Sequence, residues 1–79
     1  MKAEAVFTGA VNVVWAGWWD EAEGMPGLGA YDGGTARTRE ELVRLLRECI
    51  DYHRAAGHPG RAYLTDAEGR LLRGPGVRP

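Results

Sequence analysis

Cys49, His53 and His58 are the residues of this chain whose types and spacing could do chemistry. The first two lie one helical turn apart. A thiolate with imidazoles can bind Zn²⁺, and a Cys–His pair can act as nucleophile and base. Zinc would need further ligands, and the chain has no second cysteine. A cysteine facing the core is inert. We therefore expect a buried Cys49 beside a helix-end His53, with no catalytic residue, no cofactor site and no metal site.

The helix that would carry these side chains is the clearest element in the sequence. Thr38 and Glu41 have the spacing of a capping box, and Gly57 followed by Pro59 is typical of a helix end. Apolar residues between them recur with a period near 3.6, which predicts a helix over residues 39–56 with one buried face. That face comprises Leu42, Val43, Leu45, Leu46, Cys49, Ile50 and His53.

Strand patterns lie on both sides of this helix. Alternation over residues 2–8 predicts a first strand, and the β-branched and aromatic run 12–19 predicts a second. Residues 28–31 fit a short third strand and residues 61–65 a fourth. Turn residues then lead into an extra hairpin strand at 70–73.

These elements predict an α+β fold in β-β-β-α-β order. We expect a small antiparallel sheet of three to four strands with one long helix packed on one face. Residues 1–73 would form a single domain, the glycines at 33–34 a tight bend, and residues 74–79 a flexible tail. The helix residues Leu42, Leu45, Leu46, Cys49 and Ile50 should meet Phe7, Val13, Trp15 and Leu64.

The second strand is apolar on both of its faces. If alternation continues along it, Trp15 and Trp19 share the face under the helix. Trp18 would then lie with Val14 and Ala16 on the opposite face, which we expect to be partly open. An exposed tryptophan there could be covered by a loop or could anchor a partner protein.

Charge is unevenly distributed, although the net charge is only −1. Residues 1–34 carry one basic and five acidic residues, whereas residues 35–79 carry nine arginines and six acidic residues. An acidic, tryptophan-rich first half repels a phosphate backbone and attracts a basic protein surface. We therefore expect a basic protein partner and no direct binding of nucleic acid. The expected contact residues are Val14, Trp18, Asp20, Glu21 and Glu23.

Size and composition also indicate where such a protein works. The sequence has no apolar run long enough to cross a bilayer, so we expect no membrane contact. One cysteine cannot form an internal disulfide, which favours the cytoplasm. A chain of 79 residues buries a small core, and we therefore expect a homo-oligomer.

Three short motifs resemble the HicB-like antitoxin family over approximately residues 3–64. They are Met25-Pro26-Gly27-Leu28, the pair Gly34-Thr35, and the helix start Arg39-Glu40-Glu41-Leu42. The resemblance implies a β-β-β-α-β unit that neutralises a HicA-type toxin, a small basic mRNA-cleaving protein, by covering its active surface. The alternative is a homo-oligomeric scaffold or a small-ligand-binding domain that uses its open sheet face.

Overall fold

Two antiparallel sheets and one helix make up the computed structural model, which describes residues 9–72. The elements are β1 (Val11–Ala16), β2 (Trp18–Asp20), β3 (Met25–Gly27), β4 (Tyr31–Ala36), α1 (Arg39–Ala55) and β5 (Arg61–Thr65). In the three-stranded sheet the central strand β1 lies between β4 and β5, and β2 pairs with β3 in a separate hairpin. The helix packs on the three-stranded sheet, which confirms the α+β fold.

Some of the sequence predictions concern residues that lie outside the described range. These are the first strand at 2–8, with the core residue Phe7, and the chain from Arg73 through the tail at 74–79.

Helix α1 begins where its capping residues predict. The Thr38 hydroxyl accepts a hydrogen bond from the Glu41 amide at 3.2 Å. The Glu41 carboxylate accepts a bond of 2.6 Å from the Arg37 amide, one residue before the cap. Two orphan amides are thus satisfied, as in a capping box with a shifted second bond. At the other end Ala56 caps the helix and Gly57 has a positive φ of 77°, so the predicted range 39–56 is confirmed within one residue.

The core lies between α1 and the face of β1 that carries its odd-numbered residues. Val11, Val13 and Trp15 are at most 3% exposed. Val43 was expected in the buried stripe, but it is 46% exposed because it lies at the margin of that stripe, and this prediction is wrong. The other members of the core are Ala36, Leu42, Cys49 and Leu64, with Leu45, Leu46, Ile50, Ala62 and Leu72 packed against them.

The predicted second strand is divided at Gly17. The Gly17 amide donates a hydrogen bond of 3.1 Å to the Leu28 carbonyl, and β2 then leaves the three-stranded sheet to pair with β3. A Cβ at Gly17 would lie 3.1 Å from the Leu28 side chain, so the close approach favours glycine. One continuous strand over residues 12–19 is therefore wrong.

This division reverses the direction of the side chains that follow. The Trp19 ring lies 5.5 Å from the ring of Tyr63, which pairs with Val14 on the sheet face opposite α1. Trp15 instead stacks on His53 of the helix. The expectation that Trp15 and Trp19 share a face is therefore wrong, because alternation holds only within an unbroken strand.

Strand β4 runs through the two glycines that were expected to form a bend. Its register against β1 shifts between Asn12 and Val14, where Gly33 and Gly34 face Val13. A Cβ on Gly33 would come within 2.8 Å of the Val13 side chain. The glycines therefore accommodate a bulge within a strand, not the tip of a turn. The short strand predicted at 28–31 is wrong, because β3 ends at Gly27 and β4 begins only at Tyr31.

A hairpin turn follows β5, as predicted for residues 66–69. The Asp66 amide donates to the Arg70 carbonyl at 2.9 Å, and the Leu72 amide donates to the Leu64 carbonyl at 2.8 Å. The extra strand is reduced to one bridge at Leu71. Within residues 9–72, no helix has the length and apolarity needed to cross a bilayer.

Candidate functional site

The β2–β3 hairpin and the residue that follows it carry three of the large apolar side chains that the fold leaves exposed. Trp18 is 52% exposed, Met25 53% and Leu28 58%. Trp18 pairs with Gly27, and Asp20 pairs with Met25, so Trp18 and Met25 lie on the same side of the hairpin. The Trp18 indole lies across Gly27, where a Cβ would overlap it. Leu28 lies at the other end of the hairpin, against Gly17. We call Trp18, Met25 and the turn at 20–23 the hairpin surface.

The acidic turn at the tip of the hairpin is shaped by its first residue. Oδ1 of Asp20 accepts hydrogen bonds from the amides of Ala22 and Glu23, at 3.0 and 3.1 Å. The Gly24 amide closes the turn on the Asp20 carbonyl at 2.8 Å. Asp20 therefore has a structural role in the turn. Glu21 and Glu23 are exposed at its tip, so the hairpin presents negative charge next to its apolar side chains.

Val14, the fifth residue expected in the interface, lies elsewhere. It is half-buried on the sheet face opposite α1, beneath the inner side of the hairpin. Together with Trp19 and Pro26 it lines a cavity of about 420 Å³. The structure thus brings Trp18 together with the acidic turn but separates both from Val14. The expectation that Trp18 lies beside Val14 and Ala16 is wrong, and Ala16 is fully buried.

Sequence reasoning missed a histidine pair at the end of α1. Nδ1 of His53 lies 2.8 Å from Nδ1 of His58. His53 is 4% exposed and stacks on Trp15, with ring centroids 4.9 Å apart, and Tyr31 stacks on His58 at 5.0 Å. The His58 amide also donates to the His53 carbonyl at 2.9 Å. The sequence feature that could have indicated this pair was Gly57, whose positive φ turns the chain back onto the end of the helix.

The geometry of the pair is that of a hydrogen bond. The ring centroids of His53 and His58 are 5.1 Å apart. This distance nearly equals the sum of the Nδ1–Nδ1 distance and the radii of the two rings, so each Nδ1 points at the other. Two nitrogens bound to one tetrahedral Zn²⁺ lie roughly 3.3 Å apart, since Zn–N bonds measure roughly 2.0–2.1 Å, and this pair is closer than that. One Nδ1 must therefore carry a proton and the other accept it.

Cys49 does not complete a reactive group with these histidines. It is buried, and burial raises the pKa of its thiol, which disfavours the thiolate. Over residues 9–72, no cluster of three or more His, Cys, Asp or Glu side chains is placed to hold a metal ion. The arrangement fits proton sharing between the two histidines.

The histidine pair predicts a stability that declines in acid. Burial first, and then charge on His58, lower the pKa of His53. The unfolded chain therefore binds more protons than the folded one below about pH 6.5, the ordinary histidine value. This stabilisation is fully present above that pH and is lost as the pH falls. Urea denaturation between pH 7.5 and 5 should show the loss.

Two variants test which histidine is responsible. His53→Gln should flatten the pH dependence, because it removes the group whose proton uptake is disfavoured in the folded state. His58→Gln should keep part of the dependence, because burial of His53 remains. An unchanged slope in His53→Gln would contradict the assignment.

Comparison of the chain with protein-family models, with curated proteins and with solved structures found no match. The resemblance to HicB-like antitoxins therefore depends on its sequence motifs, which lie in β3, at the end of β4 and at the start of α1.

Proposed function

We propose that this protein is a non-catalytic, cytoplasmic binding module that resembles a HicB-type antitoxin and occludes a small basic mRNA-cleaving toxin. The observation that carries the proposal is the hairpin surface, where two large apolar side chains, Trp18 and Met25, are exposed on the strands that flank an acidic turn. Exposed apolar patches rimmed by polar residues are typical of protein interaction sites. Occlusion needs no bond to be made or broken, so it requires only a surface of suitable shape and charge.

Trp18 is the expected anchor of this surface. Tryptophan is enriched among the interface residues that contribute most to binding free energy. The ring lies across Gly27, and the inner side of the same hairpin rests on the sheet through Trp19 and Tyr63. The anchor is therefore supported before a partner arrives, which lowers the entropy lost on binding. The acidic turn supplies attraction to a basic surface and acts mainly on the association rate.

Binding to a basic protein tests the proposal directly. The probe is the purified product of a short basic reading frame adjacent to this gene, and the dissociation constant is measured by calorimetry. Trp18→Ala should weaken binding by at least about thirtyfold, the loss of 2 kcal/mol typical of an interface anchor. Glu23→Lys should slow association, because it reverses a charge at the tip of the turn.

Val43→Ala is the matched control, because Val43 is an exposed apolar residue on the helix. It should bind as tightly as the original chain. Equal binding by Trp18→Ala would reject the hairpin surface. The absence of such a reading frame, or of binding by the original chain to its product, would reject the function.

The cavity opposite α1 favours the second candidate, a homo-oligomeric scaffold or small-ligand-binding domain. Its volume of about 420 Å³ is in the range of ligand pockets. Its polar atoms are partly engaged, however. The Thr35 hydroxyl donates to Asn12 at 2.6 Å, and the Asn12 amide group donates to the Asp66 carbonyl at 3.1 Å. Sedimentation of the purified chain separates a dimer from a monomer that awaits another protein.

A further inference from the structure

A cleft of about 290 Å³ lies between β4 and α1. Two tyrosines line it, Tyr31 from the strand and Tyr52 from the helix. Both rings contact the imidazole of His53, with centroids 4.8 and 5.0 Å away. Tyr31 is 43% exposed and Tyr52 is 65% exposed. The cleft therefore presents two accessible aromatic rings around a buried histidine.

The charges of this cleft are all negative. Asp32 and Glu48 line it, and within residues 9–72 its lining contains no lysine or arginine. One Asp32 oxygen, Oδ1, accepts the Gly34 amide at 2.8 Å, and the structure gives Oδ2 no such partner. Glu48 lies 3.9 Å from Arg44, a separation beyond hydrogen-bonding distance between two largely exposed side chains. Both carboxylates can therefore interact with a cation.

We propose that this cleft receives an arginine side chain of a basic protein partner. The guanidinium group would lie against Tyr31 or Tyr52, with Asp32 and Glu48 as its counter-charges. A planar guanidinium group stacks on aromatic faces and bonds to carboxylates through two parallel donors, which an ammonium group cannot do. The two carboxylates would repel an anion and would gain no charge interaction from an apolar group. This inference rests on the proposed function and identifies a chemical group of the partner.

The cleft is tested with the intact chain and a small probe. N-acetyl-arginine N-methylamide is titrated into ¹⁵N-labelled protein, and the amide resonances of Gly33, Cys49 and Tyr52 are followed. They should shift with arginine and shift at least about fivefold less with the neutral citrulline analogue, which has the same shape without the charge. Equal shifts with citrulline, or no shifts with arginine, would overturn the proposal.

Variants then identify the groups that bind the probe. Asp32→Asn, Glu48→Gln and Tyr52→Leu should each weaken arginine binding by about two- to fivefold, as expected for exposed charge and cation–π contacts. Glu40→Gln is the matched control, because it removes a charge from the same helix outside the cleft. Equal weakening by Glu40→Gln would indicate a general charge effect and would overturn the site.

The outcome is separable from that of the proposed function. Binding of the basic protein through Trp18 without binding of arginine would support the proposed function and reject the arginine cleft. Binding of arginine at the cleft without binding of a basic protein would support the cation site and reject the antitoxin role.

Discussion

Replacement of Gly60 by alanine is expected to destabilise the fold by about 3–5 kcal/mol, a large part of the stability of a domain of this size. Gly60 has a φ of +122°, which side-chain-bearing residues rarely adopt. A Cβ there would overlap the Ala16 carbonyl oxygen and approach the Gly17 Cα to 2.8 Å. These are backbone atoms at the end of β1, so no side-chain rotation can relieve the overlap.

Gly57→Ala is the matched control for this prediction. Gly57 lies in the same loop and also has a positive φ, but a Cβ there would meet nothing within 4 Å. Its replacement should cost only about 1–2 kcal/mol, the backbone penalty alone. Urea denaturation measures both losses. If the loss of stability at Gly60 is no larger than that at Gly57, the backbone at the end of β1 moves to accommodate the added Cβ at no cost, which would contradict the prediction.

The loop from α1 to β5 is fixed to the rest of the fold at three successive residues. His58 bonds to His53, the Pro59 carbonyl accepts from the Trp15 indole at 3.2 Å, and Gly60 packs on the end of β1. The hairpin leaves β1 at the adjacent Gly17. The same end of β1 therefore supports the histidine pair and, on its other side, the strand that carries Trp18. A defect there should affect both regions.

The elements that the sequence predicts well are those specified by local chemistry. Helix α1 has a cap at Thr38, a 3.6-residue apolar period and a glycine after its end, and all three act within a few residues. Strand β5 was predicted at 61–65 and is found there. For Trp18 the sequence left a covered and an exposed side chain open, and the structure has it 52% exposed.

The features that escaped prediction depend on contacts between residues distant in sequence. The division at Gly17 is stabilised by a hydrogen bond to Leu28, and the alternation of residues along a strand does not indicate that bond. One break changes the face toward which every later side chain of the run points, which explains the error for Trp19. The bulge in β4 depends on Val13 of another strand. These contacts determine which candidate interface residues lie together, so the hairpin surface could be predicted only in part.

Trp15→Ala should cost about 3–5 kcal/mol, the usual loss for a large buried aromatic side chain. Trp15 is 3% exposed, stacks on His53 at 14° between ring planes and donates to the Pro59 carbonyl. Trp15→Phe keeps an aromatic ring against His53 and removes the hydrogen bond, so it should cost less, about 1–3 kcal/mol. Urea denaturation at pH 7.5 compares the variants. Equal losses would mean that the hydrogen bond dominates over packing.

The same alanine variant should also alter the response to acid. Burial is the largest cause that lowers the pKa of His53, and the Trp15 indole covers one face of that imidazole. Removal of the indole admits water, so the His53 pKa should rise towards its ordinary value. The stability of Trp15→Ala should then fall less steeply below about pH 6.5 than that of the original chain. An equally steep fall would mean that the charge on His58, not burial under Trp15, disfavours proton uptake by His53.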